Sequence, residues 1–106
     1  MTHLTTHVLD AATGTPAIGV TVTLAQLGGE TIAEGVTDVD GRLAIGPDRL
    51  VDGDYSLTFG TRAYFRDRGV ASFHPIATVA FTVSGEGHLH VPLLLSPFAY
   101  STYRGS

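Results

Sequence analysis

At 106 residues, with no cysteine and no tryptophan, the chain has the length of one domain, 1–106, and enough surface to bury one modest core. Hydrophobic residues make up 43%, which excludes wholesale disorder, while the 15% that are charged fall short of the roughly 25% of an average soluble domain, so part of the surface is expected to be covered by assembly. Six arginines, no lysine and ten acidic residues leave a net charge of −4, which disfavours nucleic acid and anionic membranes as partners, and without cysteine there is no disulfide framework, thiolate metal site or cysteine nucleophile.

The first predicted strand runs over about His3–Leu9 and ends in the turn-rich Asp10-Ala11-Ala12-Thr13-Gly14. In the second, about Ile18–Gln26, Val20, Val22 and Leu24 alternate with Thr21, Thr23 and Ala25, the period of two of a half-buried strand. Gly28-Gly29 reads as a two-residue hairpin turn into a third strand, about Thr31–Thr37. Asp38-Val39-Asp40-Gly41 is a turn before a short fourth strand near Leu43–Ile45, and Tyr55–Phe59 forms a fifth. Thr61–Arg68 shows no alternation and suits one or two turns of helix, its Arg62, Arg66 and Arg68 reading as a solvated face. Ile76–Val83, a Gly85-Glu86-Gly87 turn, His88–Leu95 and Ala99–Tyr103 complete eight strands. Short β-branched runs punctuated by glycine and proline predict an all-β, two-sheet sandwich of antiparallel strands. Pro92 cannot donate to a ladder, so it marks an edge or a bulge.

The N-terminal Met1-Thr2-His3-Leu4-Thr5-Thr6-His7 lacks a basic segment followed by an apolar one, so no signal peptide is expected. The longest apolar run, Val91–Leu95, is far short of the ~20 residues of a membrane helix. The expected compartment is the cytoplasm, with a leader removed before this numbering left open.

Five histidines are many for this length. His88 and His90 share one face of a strand, and His7 lies near the end of another. Each alone reads most simply as a surface or satisfied residue. Together they suit general acid–base work on water, because imidazole titrates near neutrality, with an arginine to clamp an oxygen anion. His88-Leu89-His90 with His7 also offers three imidazoles to a zinc ion, although His-X-His spacing is weak evidence. No Gly-X-Ser-X-Gly elbow is present, which argues against a serine nucleophile. The polar, aromatic Tyr100-Ser101-Thr102-Tyr103-Arg104-Gly105-Ser106 is either a frayed end or an added edge strand.

The terminal Tyr103-Arg104-Gly105-Ser106 resembles the Tyr-Arg-Gly-Ser terminus of the 5-hydroxyisourate hydrolases, the transthyretin-related proteins. The segment from His90 to Thr102, His7-Val8-Leu9-Asp10, Thr37-Asp38-Val39-Asp40-Gly41-Arg42 and Phe73-His74-Pro75 resemble further motifs of that family, in order and over essentially the whole chain. The resemblance implies a transthyretin-like sandwich of two four-stranded sheets with one short helix, assembled as a homotetramer, a dimer of dimers, with sites at the dimer–dimer interface. It implies ring-opening hydrolysis of 5-hydroxyisourate to 2-oxo-4-hydroxy-4-carboxy-5-ureidoimidazoline in urate degradation, without cofactor or metal. His7, Arg42, His90 and Ser106 take the family's catalytic roles, and His7, Arg42, Tyr103, Arg104 and Gly105 contact the substrate. His88 does not match the family's histidine; His90, directly before Val-Pro-Leu-Leu-Leu, does. The competing classes are a transthyretin-like carrier, which needs an apolar channel, and a histidine metal scaffold.

Overall fold

The computed structural model describes residues 3–85 and 87–106. Among the described residues, nine strands and one helix follow in chain order: β1 (Leu4–Asp10), β2 (Thr15–Pro16), β3 (Thr21–Gln26), β4 (Thr31–Val36), β5 (Arg42–Ile45), β6 (Gly53–Phe59), α1 (Thr61–Asp67), β7 (Ala77–Val83), β8 (Leu89–Leu95) and β9 (Tyr100–Thr102). They form a two-sheet sandwich with one short helix, as the sequence predicts. Glu86, in the expected turn at 85–87, lies outside the described residues.

Three details differ from the sequence reading. One sheet has five strands rather than four, because β2 and β5 share one edge of β1: β5 pairs with residues 4–7 and β2 with residues 9–10. The strands are not all antiparallel, since β1 and β8 run parallel from Leu4↔Leu89 to Asp10↔Leu95. Nothing local in either strand encodes that choice of neighbour. The 28–29 hairpin is also longer than two residues: Gln26 N–H donates to the Glu30 carbonyl across a three-residue loop, with Gly28 at φ +70°.

The second sheet is four-stranded, in the order β4-β3-β6-β7. Leu4, Val8, Leu93 and Leu95 from the first sheet and Val22, Leu24, Leu57 and Phe59 from the second are buried in one core. Each such side chain contributes roughly 1.5–3 kcal/mol on leaving water. The helix is tied to the sandwich by buried Thr61, Tyr64 and Phe65. The Tyr64 hydroxyl donates to Asp10 Oδ2 at 2.8 Å. Burial and the adjoining Asp10 push the Tyr64 hydroxyl up to about 12. Of the three arginines read as a solvated face, Arg68 is committed: its guanidinium lies 3.7 Å over the Tyr64 ring and donates to the Tyr64 and Ile18 carbonyls. Among the described residues, no helix is long and apolar enough to cross a membrane.

Candidate active site

The burial of β1 alternates strictly, with Leu4, Thr6, Val8 and Asp10 inward and Thr5, His7 and Leu9 outward. Register then decides what joins them. His7 pairs with Arg42 on β5 and Pro92 on β8, and Thr5 pairs with Ala44 and His90. One outward face therefore collects His7, Arg42 and His90 from segments that are far apart in sequence.

Arg42 is set by the turn before it. Asp38 Oδ1 accepts the backbone N–H groups of Asp40 (2.9 Å) and Arg42 (3.0 Å), and Asp38 N–H donates to the Arg42 carbonyl. Those backbone donors, the Arg42 N–H foremost, hold the Asp38 carboxyl below its usual range, with the Arg42 and His7 charges adding to the effect. Gly41 has φ +72°, and a Cβ there would meet the Val8 carbonyl oxygen at 2.5 Å, so only glycine lets the turn dock against β1. The Gly41 carbonyl accepts the Val8 N–H at 2.8 Å, which fixes β5 beside His7.

His90 is half-buried. Burial, and then the charges of Arg42, His7 and His88, hold its imidazole below the ordinary histidine value, against an opposing hydrogen bond from Thr5. The neutral ring therefore prevails near pH 7. Thr5, which the sequence did not single out, adjoins it: Thr5 Oγ1 lies 2.9 Å from His90 Nδ1 and 3.0 Å from Nε2 of His88, the other histidine of that strand face. The available signal was the spacing Thr5-Thr6-His7, which puts Thr5 on the face of His7.

The tail adds a strand and then returns to the site. β9 pairs with β8 from Leu93↔Thr102 to Leu95↔Tyr100, and Gly105 N–H donates to the His90 carbonyl at 2.9 Å. A Cβ on Gly105 would meet His90 Cδ2 at 2.5 Å, so the glycine backbone lies directly against the ring. The carbonyls of His90 and Pro92 point toward this tail, accepting from Gly105 N–H and the Thr102 hydroxyl. By strand parity the Pro92 nitrogen faces the same side, at the break between Thr102 and Gly105. That is the irregularity its missing N–H requires.

The single chain thus brings together His7, Arg42, His90 and Gly105, with Ser106 following. Tyr103 and Arg104 instead line a groove at the open edge of the sandwich with Val79, Phe81, Leu89, Val91 and Thr102. Among the described residues, no group of three or more histidine, aspartate or glutamate side chains converges to hold a metal ion. His3, which the sequence reading did not single out, is buried and structural, its Nδ1 accepting the Leu50 N–H at 2.8 Å.

Residues 4–105 match the HIUase/Transthyretin family. A 5-hydroxyisourate hydrolase of Mus musculus is 43% identical over 97% of this chain and 94% of its own length. The structure of Klebsiella pneumoniae 5-hydroxyisourate hydrolase superposes with a TM-score of 0.90 at 45% identity, covering 100% of this chain and 94% of the other. Sea bream transthyretin in complex with thyroxine also superposes with a TM-score of 0.90, at 38% identity over 97% of this chain and 94% of its own.

Proposed function

The chain belongs to the HIUase/Transthyretin family, and we propose how its outward face performs the reaction for which its hydrolase relatives are named. It is an enzyme that hydrolyses 5-hydroxyisourate. Neutral His90 takes a proton from water as the water oxygen attacks a carbonyl carbon of the six-membered ring. Arg42, held by the 38–41 turn, stabilises the negative charge that grows on the carbonyl oxygen. His7 gives a proton to the leaving ring nitrogen, and the ring opens to 2-oxo-4-hydroxy-4-carboxy-5-ureidoimidazoline. Gly105 seats the tail on His90, so the neighbouring Ser106 orients the water or the ring. Tyr103 and Arg104 line the separate groove beside β7 and are given no substrate contact in this scheme.

The observation that carries this reading is the Gly105–His90 contact, which joins the Tyr-Arg-Gly-Ser terminus to an imidazole beside His7 and Arg42. A carrier of an apolar hormone would want apolar walls here. The test is to add the protein to 5-hydroxyisourate freshly generated by urate oxidase and follow the ultraviolet absorbance. Decay faster than the spontaneous rate is expected, and decay at the spontaneous rate refutes the reading.

The working unit in this proposal is a homotetramer, a dimer of dimers. Its support is the low charge and the exposed Phe73, Ile76, Phe98 and Tyr103, large apolar side chains that neighbouring copies would cover. Sedimentation equilibrium is expected to return four times the chain mass.

A further inference from the structure

Thr5 Oγ1 lies 2.9 Å from His90 Nδ1, and that contact distinguishes the two nitrogens of the ring. Cδ2, which is bonded to Nε2, lies against Gly105, so the Nε2 side of the ring faces the tail while Nδ1 faces Thr5. A neutral imidazole carries one N–H and one lone pair, and the partner of one nitrogen decides which is which. A base acting from Nε2 needs its own proton on Nδ1, and that proton needs an acceptor. Thr5 Oγ1 is that acceptor whenever the hydroxyl proton points elsewhere. Turned round, the same hydroxyl donates to Nδ1, places the ring proton on Nε2 and leaves His90 without a lone pair for water.

The surroundings decide between these two directions. Nε2 of His88, 3.0 Å away, is the second partner of the hydroxyl. With a lone pair there, the exposed His88 ring draws the Thr5 proton away from His90. A hydroxyl that donates in this way is also the better acceptor for the next bond in the chain. The backbone carbonyl of Thr5 acts in the same sense, favouring a proton on the His90 ring. The other charged groups acting on His90 are Arg42 on β5 and His7 on β1. A guanidinium has no lone pair to offer Nδ1, so Arg42 cannot replace Thr5.

We propose that Thr5, its hydroxyl oriented by His88, is a positioning residue that holds His90 in the Nδ1–H tautomer and so leaves Nε2 free to take a proton from water. This rests on His90 being the base of the hydrolysis. No proton passes through Thr5. The Nδ1–H donates to Oγ1 both before and after Nε2 gains its proton, so the ring is already set for the charge it acquires. Thr5 and His88 touch the base and not the substrate.

The test is nitrogen NMR of the histidine rings in the substrate-free protein at about pH 8, where ordinary imidazoles are neutral, beside the ultraviolet assay on fresh 5-hydroxyisourate. In the unmodified chain His90 should carry its proton on Nδ1. Thr5→Val keeps the shape of the side chain and removes the acceptor. The ring proton should then move to Nε2, and kcat should fall about tenfold at unchanged KM, in step with the fraction of His90 that leaves the competent tautomer. Thr5→Ser should restore the tautomer and bring kcat back to within about threefold, and His88→Ala should mix the tautomers and cost about threefold. A proton on His90 Nε2 in the unmodified chain overturns the proposal, as does a T5V chain with unchanged tautomer or unchanged kcat. Should T5V not fold, the ring spectra of the unmodified chain and of H88A, which alters an exposed side chain, decide the matter. An inert unmodified chain refutes the hydrolytic reading and the role of Thr5 with it; an active chain with the proton on Nε2 refutes the role of Thr5 alone.

Discussion

Leu4, Val8, Leu93 and Leu95 come from the same two strands as Thr5, His7 and His90, yet the two sets answer to different physics. The inward set is fully enclosed, and each member stabilises the sandwich in proportion to the area it buries. The outward set is half-buried and adds little apolar burial. Its value lies in register, since a one-residue slip of β8 against β1 would send His90 into the core and bring a leucine to the surface. The inward leucines thus hold the register that assembles the outward imidazoles. One face makes the fold, and the other borrows its geometry.

The contrast breaks if outward substitutions unfold the protein or inward ones abolish chemistry in molecules that remain folded. His90→Ala and Arg42→Ala should each lower kcat by about 10²–10⁴ with the thermal midpoint nearly unchanged, measured by the ultraviolet assay beside circular dichroism. Leu93→Ala, at a fully buried site, should cost about 2–5 kcal/mol in denaturant unfolding while the rate per folded molecule survives. Gly105→Ala sits between the two classes. Its new methyl must displace the His90 ring or the tail, and a shift of about 1 Å costs up to about 100-fold in rate, with little change in stability.

The smallest effect concerns protonation. Burial and neighbouring cations hold His90 below 6.5, so the basic form persists into mildly acidic solution. The fall of kcat/KM with decreasing pH should therefore have its midpoint below 6.5. Arg42→Gln removes one repelling charge and should move the His90 titration upward when followed by NMR. The stability linkage has the same sign: the unfolded chain binds this proton more readily, so stability falls as pH drops from 6.5 toward the folded value. An unshifted titration in the Arg42 variant would leave burial and the neighbouring His7 and His88 as the causes.

Most elements were legible because their signals are local. The alternation of Val20, Val22 and Leu24 reports β3 and its buried face, and the loss of alternation over 61–68 reports the helix. His7, Arg42, His90 and the tail were singled out as one set only through motif resemblance, since taken alone each histidine or arginine reads as a surface residue and the tail as either a frayed end or an added edge strand. Thr5 was passed over because a threonine gains significance only from what lies across the ladder. The same holds for Arg68, whose commitment to Tyr64 depends on how the helix packs.

The sequence by itself determined the strand periods, the turns that need glycine and the small set of side chains able to move protons, because these follow from backbone sterics and side-chain chemistry within a few residues. The parallel pairing of β1 with β8, the division of one β1 edge between β2 and β5, and the seating of Gly105 on His90 were decided by tertiary structure alone. They are contacts between segments as much as 85 residues apart, as with Thr5 and His90. Such contacts are selected by the packing of the whole core, and no short stretch of chain contains them.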